Sequence, residues 1–173
     1  KENQIDPKDV IFVAHSTTQA TNALIEGDVA HVGVVGVGPK GVGGWLAKAQ
    51  TNMKDINLGS GRFIHLHNRF ICDEKLSDQL VTDTIKSLVG EGAQVIVSSE
   101  SYGVDDMENE TGICAIAKNM GLEATAASEI TKLYGLTRRT RTAAINASIL
   151  PKMLNTANST EQSVRSAGVE VPL

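Results

Sequence analysis

The chain has 173 residues, 41% hydrophobic and 21% charged, with 16 glycines and 4 prolines; this composition excludes a disordered tail, a collagen-like repeat and a disulfide scaffold. Sixteen basic against twenty acidic side chains give a formal net charge of −4, and only 3% of residues are aromatic. That leaves neither a broad phosphate-binding surface nor a base-stacking platform. No stretch approaches the ~18 apolar residues needed to span a bilayer, and the first residues hold no apolar signal core. The chain is therefore expected to be cytoplasmic, with no nucleic-acid or membrane partner. A core built from Val, Ile, Leu and Ala points to α/β layering.

Residues 10–14 form a continuous apolar run, predicting a strand covered on both faces. Hydroxyls at Ser16, Thr17 and Thr18 precede a predicted helix over 19–26, with Ala20, Ala23 and Leu24 on one face and Gly27 as its stop. A second strand is predicted over 30–37. Residues 36–44 are rich in glycine and read as a flexible connection. Gly36-Val37-Gly38-Pro39-Lys40-Gly41 does spell a GxGxxG pattern, but Pro39 interrupts it and no amphipathic helix clearly follows. Residues 45–61 have weak periodicity, 62–66 suggest a strand and 71–75 a turn.

The clearest helix begins after the N-cap Ser77, with Leu80, Val81, Ile85, Leu88 and Val89 at helical spacing up to Gly90. A buried strand follows at 94–98. Asp105-Asp106 can cap a helix over about 107–120, and 122–127 reads as a short strand. Two successive helix–strand pairs imply parallel strands. Residues 140–150 look helical, Pro151 limits how far that helix runs unkinked, and 152–168 form a polar tail. The expected division is therefore an α/β domain over 1–151 and a tail over 152–173 leading towards a further domain.

The residues offer few chemical constellations. His15, Ser16, Thr17 and Thr18, with Thr21 and Asn22, sit where a parallel strand meets a helix, a place suited to an anion or carbonyl; the same residues serve equally as helix caps. His65, His67 and Cys72 have strand spacing, but no fourth ligand is placed, so no metal is expected. Arg138, Arg139 and Arg141 concentrate positive charge in an acidic chain; they suit a carboxylate or phosphate, or pair with Glu129 and the acidic residues 105–110. Cys72 and Cys114 read as reduced, packed thiols.

Three segments in this order resemble the hydantoinase/oxoprolinase family. His15-Ser16-Thr17-Thr18-Gln19-Ala20-Thr21-Asn22-Ala23-Leu24 is similar to its H-G-T-T-x-A-T-N-A-L-L segment. Ser128-Glu129-Ile130 is similar to its S-x-E-[IV] segment. Arg139-Thr140-Arg141-Thr142-Ala143-Ala144-Ile145-Asn146-Ala147 is similar to its R-[ST]-x-T-x-x-x-N-A segment. Ser101-Tyr102 stands where the family has a strand followed by a Ser-Tyr pair.

The resemblance implies part of an actin-like, ribonuclease-H-like ATPase fold: a mostly parallel sheet flanked by helices. It implies an ATP-dependent enzyme, using ATP and Mg, that opens a cyclic amide such as hydantoin or 5-oxoproline with a second catalytic subunit or domain. His15, Thr17, Thr18, Thr21, Asn22, Glu129, Arg139, Arg141 and Asn146 are then the candidates for the substrate or nucleotide cleft; the catalytic groups are not identified. The family's Asp-x-Gly-Gly-Thr and Asp-Gly-Gly phosphate segments have no counterpart in these residues, so no cofactor and no activity are expected of this chain alone. Residues 36–44, which depart from the family's segment after the second strand, favour the alternative of a non-catalytic binding or regulatory module on the same scaffold.

Overall fold

A computed structural model describes residues 6–13 and 18–169. Its centre is a four-stranded, all-parallel sheet in the order β4-β1-β5-β6, formed by β1 (Val32–Gly38), β4 (Leu66–Cys72), β5 (Val95–Glu100) and β6 (Glu123–Ala126). A separate antiparallel hairpin joins β2 (Ile56–Gly59) to β3 (Arg62–Ile64). The helices are α1 (Gln19–Glu26), α2 (Val42–Thr51), α3 (Asp78–Gly90), α4 (Glu108–Asn119), the short α5 (Ala127–Ile130) and α6 (Leu136–Ser166). Among the described residues, no helix is long and apolar enough to cross a membrane.

Alternation along β1 divides the core. Val35 and Val37 face Val81, Ile85 and Leu88 of α3 and Ile113 and Ala117 of α4. Val32 and Val34 face Ala143, Ala144 and Ala147 of α6, together with Ile56 and Ile64 of the hairpin. A strand covered on both faces needs apolar residues at every position, and all seven residues of β1 are buried. The expected α/β class with a mostly parallel sheet is the observed one.

Four local expectations are corrected. Residues 10–13 join no strand: the outer strands of the sheet are β4 and β6, and Ile11 and Phe12 are 90% and 74% exposed. β4 was hidden because three polar residues in a row, His67, Asn68 and Arg69, interrupt its apolar ends, which an outer strand of the sheet tolerates. The glycine-rich segment is no flexible connection. β1 runs to Gly38 and α2 starts at Val42, and several of these glycines serve close packing. A Cβ at Gly44 would collide with the Pro39 carbonyl, one at Gly36 with the Thr51 hydroxyl, and one at Gly38 would lie 2.8 Å from Ala47 Cβ. Gly41 holds φ +75° at the N-cap of α2.

Fourth, α6 passes through Pro151 and takes in the polar residues up to Ser166. Proline removes one intrahelical bond, and α1 docks against the helix around that point. Ala30 N–H donates to the Ser148 carbonyl at 2.8 Å, Lys152 pairs with Asp28, and the Thr156 hydroxyl donates to Gln19.

Candidate functional site

The chain leaves β1 for its outer neighbour β4, then returns to the other side of β1 to form β5. The turns after β1 and β5 consequently lead to opposite faces, to α2 and α4, and open a crevice between the C-terminal ends of these strands. Open parallel sheets bind ligands at such a reversal of strand order. Here the crevice has a volume of about 220 Å³ and is lined by Pro39, Gln50, Ser101, Tyr102, Tyr134 and Leu136, among others. Gly43, in the first turn of α2, also lines it; no side chain caps that turn, and the orphan N–H groups of a helix start suit an anion or carbonyl.

The polar groups differ in how far they are committed. Ser101 N–H donates to the Val37 carbonyl at 3.3 Å, tying the two strand ends together, while its hydroxyl oxygen is buried with no hydrogen-bond partner. Tyr134 donates its hydroxyl to Asp105 at 2.8 Å, and that carboxylate pushes the phenol pKa above its ordinary value. Lys40, in the β1–α2 turn, is paired with Glu74.

Two fully buried charges hold the loops that carry these side chains. Arg139 donates through Nη1 to the Leu133 carbonyl at 2.7 Å and through Nη2 to the Glu100 carbonyl at the end of β5. Burial pulls its guanidinium pKa down, and Glu110, Asp105 and Glu100 pull the other way. Glu110 accepts from Glu100 N–H and from Ser128 N–H, each at 2.8 Å, so one carboxylate joins β5 to the segment after β6. Burial also pushes the Glu100 carboxyl pKa up, although Asn109 donates to it. Beside them, the Ser99 and Thr140 hydroxyls are 2.7 Å apart and buried.

Of the nine residues expected at a cleft, the seven that are described do not gather at one place. His15 and Thr17 lie outside the described residues. Thr18, Thr21 and Asn22 are exposed on or beside α1. Thr18 occupies the N-cap position but makes no side-chain cap bond. This end of α1 adjoins a groove of about 790 Å³ along the C-terminal half of α6, lined by Gln19, Lys152, Thr156 and Ser159, among others. Arg139 is a buried buttress of the crevice, Arg141 and Glu129 are exposed, and Asn146 is half-buried on α6. From Thr156, beside α1, to Arg139 is seventeen residues of α6, or about 25 Å at 1.5 Å per residue.

Sequence reasoning missed Glu110, Tyr134 and Gln50. Glu110 left a signal. It stands at i relative to Ile113, Cys114 and Ala117 at i+3, i+4 and i+7, all buried in α4, and a carboxylate on an apolar helix face must find partners inside. Among the described residues, no group of three His, Cys, Asp or Glu side chains is arranged to hold a metal ion.

Comparison with known proteins follows the same lines. Among solved structures, the chain is similar to an ATP-dependent caprolactamase from Pseudomonas jessenii, at 19% identity and a TM-score of 0.62 over 91% of this chain. It is also similar to acetone carboxylase in its nucleotide-free form, at 17% identity and a TM-score of 0.60 over 88% of this chain. The chain spans 25% of each of those chains, and at these identities the likeness shows the fold. No curated protein matches. The model of the hydantoinase/oxoprolinase N-terminal region matches residues 1–121, and the chain belongs to that family.

Proposed function

We propose that this chain is part of an ATP-dependent enzyme that opens a cyclic amide of the hydantoin or 5-oxoproline type. The match to the family's N-terminal region over residues 1–121 carries this reading. Two structural neighbours described as an ATP-dependent caprolactamase and as an acetone carboxylase acting by ATP-dependent carboxylation support it. ATP with Mg would supply the activation of the substrate's amide oxygen. A second catalytic subunit or domain would supply the rest of the machinery.

Within that enzyme, the residues of this chain bind and orient rather than carry out the bond change. His15, Thr17, Thr18, Thr21 and Asn22 would line the wall of a cleft at the start of α1; exposure of the last three supports a role in contact. Arg141, Glu129 and Asn146, which lie apart from that wall, would face an adjoining domain. Arg139 would act as a positioning residue, because its guanidinium already holds the Leu133 and Glu100 carbonyls. Ser101 and Tyr102 would meet ligand at the crevice; the unpartnered Ser101 hydroxyl supports this.

The test is ATP-dependent phosphate release by the full-length protein with its partner subunit, offered hydantoin and 5-oxoproline. Turnover coupled to ring opening is expected, and Thr18→Ala and Asn22→Ala should each lower it. Absence of coupled turnover on every cyclic amide would overturn the reading.

A further inference from the structure

Because β1, β4 and β5 run parallel, their N-terminal ends form a second rim, opposite the crevice. His31 immediately precedes β1, His65 immediately precedes β4, and His67 is the second residue of β4. The His31 ring centroid is 4.8 Å from that of His65 and 6.0 Å from that of His67. Gly33, the residue in register with His67, carries no side chain. A Cβ added at Gly92, in the turn before β5, would lie 3.7 Å from both His31 Nδ1 and His67 Nε2. His67 Nε2 is buried with no hydrogen-bond partner.

Each neighbouring element brings a charge or a tie to this cluster. Asp55, ahead of β2, accepts from His65 Nδ1 at 2.7 Å and from Leu66 N–H at 2.9 Å, so it pins the start of the hairpin to β4. Glu91, after α3, lies 3.8 Å from His67 Nδ1 and also pairs with Arg69 of β4. The His31 backbone joins β1 to β5: its N–H donates to Gln94 Oε1 at 2.9 Å, and its carbonyl accepts from Gln94 N–H at 2.8 Å. Three bases thus share two carboxylates and one guanidinium.

We propose that His31, His65 and His67 form an acid-sensitive latch, closed when the rings are mostly neutral and opened when several of them carry protons. One proton is matched by Asp55 beside His65, whereas Glu91 beside His67 is already shared with Arg69. Further protons place like charges at the ring separations given above, where rim strands, hairpin and turn all meet. Burial first, then the His65 and His67 rings, hold the His31 pKa below 6.5, while Asp55 acts in the opposite sense. The folded chain accordingly binds fewer protons than the unfolded chain as pH falls past 6.5, so the stability present above that pH is lost below it. Asp55, held low chiefly by Leu66 N–H, stays ionised through this window and keeps its contribution.

Urea unfolding and amide hydrogen exchange at pH 7.5 and 5.5 test the latch in the whole chain, native and His31→Gln. The native midpoint should fall between these pH values. Exchange in the hairpin, corrected for intrinsic rates, should rise by up to about tenfold per pH unit for each proton taken up on opening. His31→Gln should flatten both responses. Parallel pH profiles in the two proteins would overturn the proposal. So would an NMR titration of the native chain in which the His31 ring titrates at 6.5 or above, independently of its neighbours, a readout that needs no variant to fold.

Discussion

Replacing Glu110 by alanine would remove a side chain that joins the end of β5 to the start of α5. In the native chain its two carboxylate oxygens accept from Glu100 N–H and Ser128 N–H at 2.8 Å, with no exposed surface on the residue. Hydrogen bonds to a charged acceptor contribute roughly 1.5–3 kcal/mol each, and buried donors left without a partner lose their hydration as well. Two such bonds set the expected loss at about 3–6 kcal/mol, a large part of the ~5–15 kcal/mol that holds a domain folded. Arg139 adds to the effect, because the Glu110 charge helps to offset its burial.

Glu110→Gln sharpens the test. The amide oxygen can accept from one N–H, while the amide nitrogen is set against the other, so about half of the alanine effect or more should remain. Urea denaturation followed by circular dichroism measures both variants. A loss below about 1 kcal/mol for Glu110→Ala would refute the reasoning, since it would mean that water reaches those donors or that the loops relax freely.

Other substitutions separate close packing from backbone conformation in the β1–α2 turn. Gly44→Ala should cost about 3 kcal/mol, the upper end of overpacking, because its Cβ collides with the rigid Pro39 carbonyl. Gly41→Ala has open space around it, but the residue holds φ +75° and ψ −147°, a region essentially confined to glycine, so backbone strain alone should cost about 1–3 kcal/mol; a loss below about 0.5 kcal/mol would contradict this. Cys114 is buried, and burial pushes its thiol up to about 12. In the native chain at pH 8 it should therefore resist iodoacetamide while the partly exposed Cys72 reacts, and equal rates would refute this. Thr18→Ala and Asn22→Ala should each leave stability within about 0.5 kcal/mol, since both residues are exposed and Thr18 makes no cap bond; a larger loss in thermal unfolding would assign them to the fold.

Local pattern made much of the fold legible. The Ser77 cap is real, with its hydroxyl accepting from Leu80 N–H at 3.3 Å, and α3 ends at Gly90 as its periodicity requires. Gly27 closes α1 in the left-handed region at φ +74°. These features depend on neighbours within a few residues, so spacing reveals them. The candidate site was less legible. Ser101-Tyr102 could be quoted from the chain, but Tyr134 and Gln50 share their crevice only because β5, α6 and α2 meet there.

Residues 36–44 show the limit most clearly. Glycine enrichment reads equally as freedom or as close approach, and only the docking of α2 on β1 distinguishes the two. Composition and periodicity by themselves determined the α/β class, the parallel strands and the boundaries of α1, α3 and α4, because backbone propensity and burial act along the chain. Tertiary structure alone decided that Arg139 and Glu110 are interior supports and that three histidines share one rim. It also decided that α6 continues through Pro151. Each depends on partners tens of residues away, and a charged or polar side chain carries no local mark of whether water or another chain segment will satisfy it.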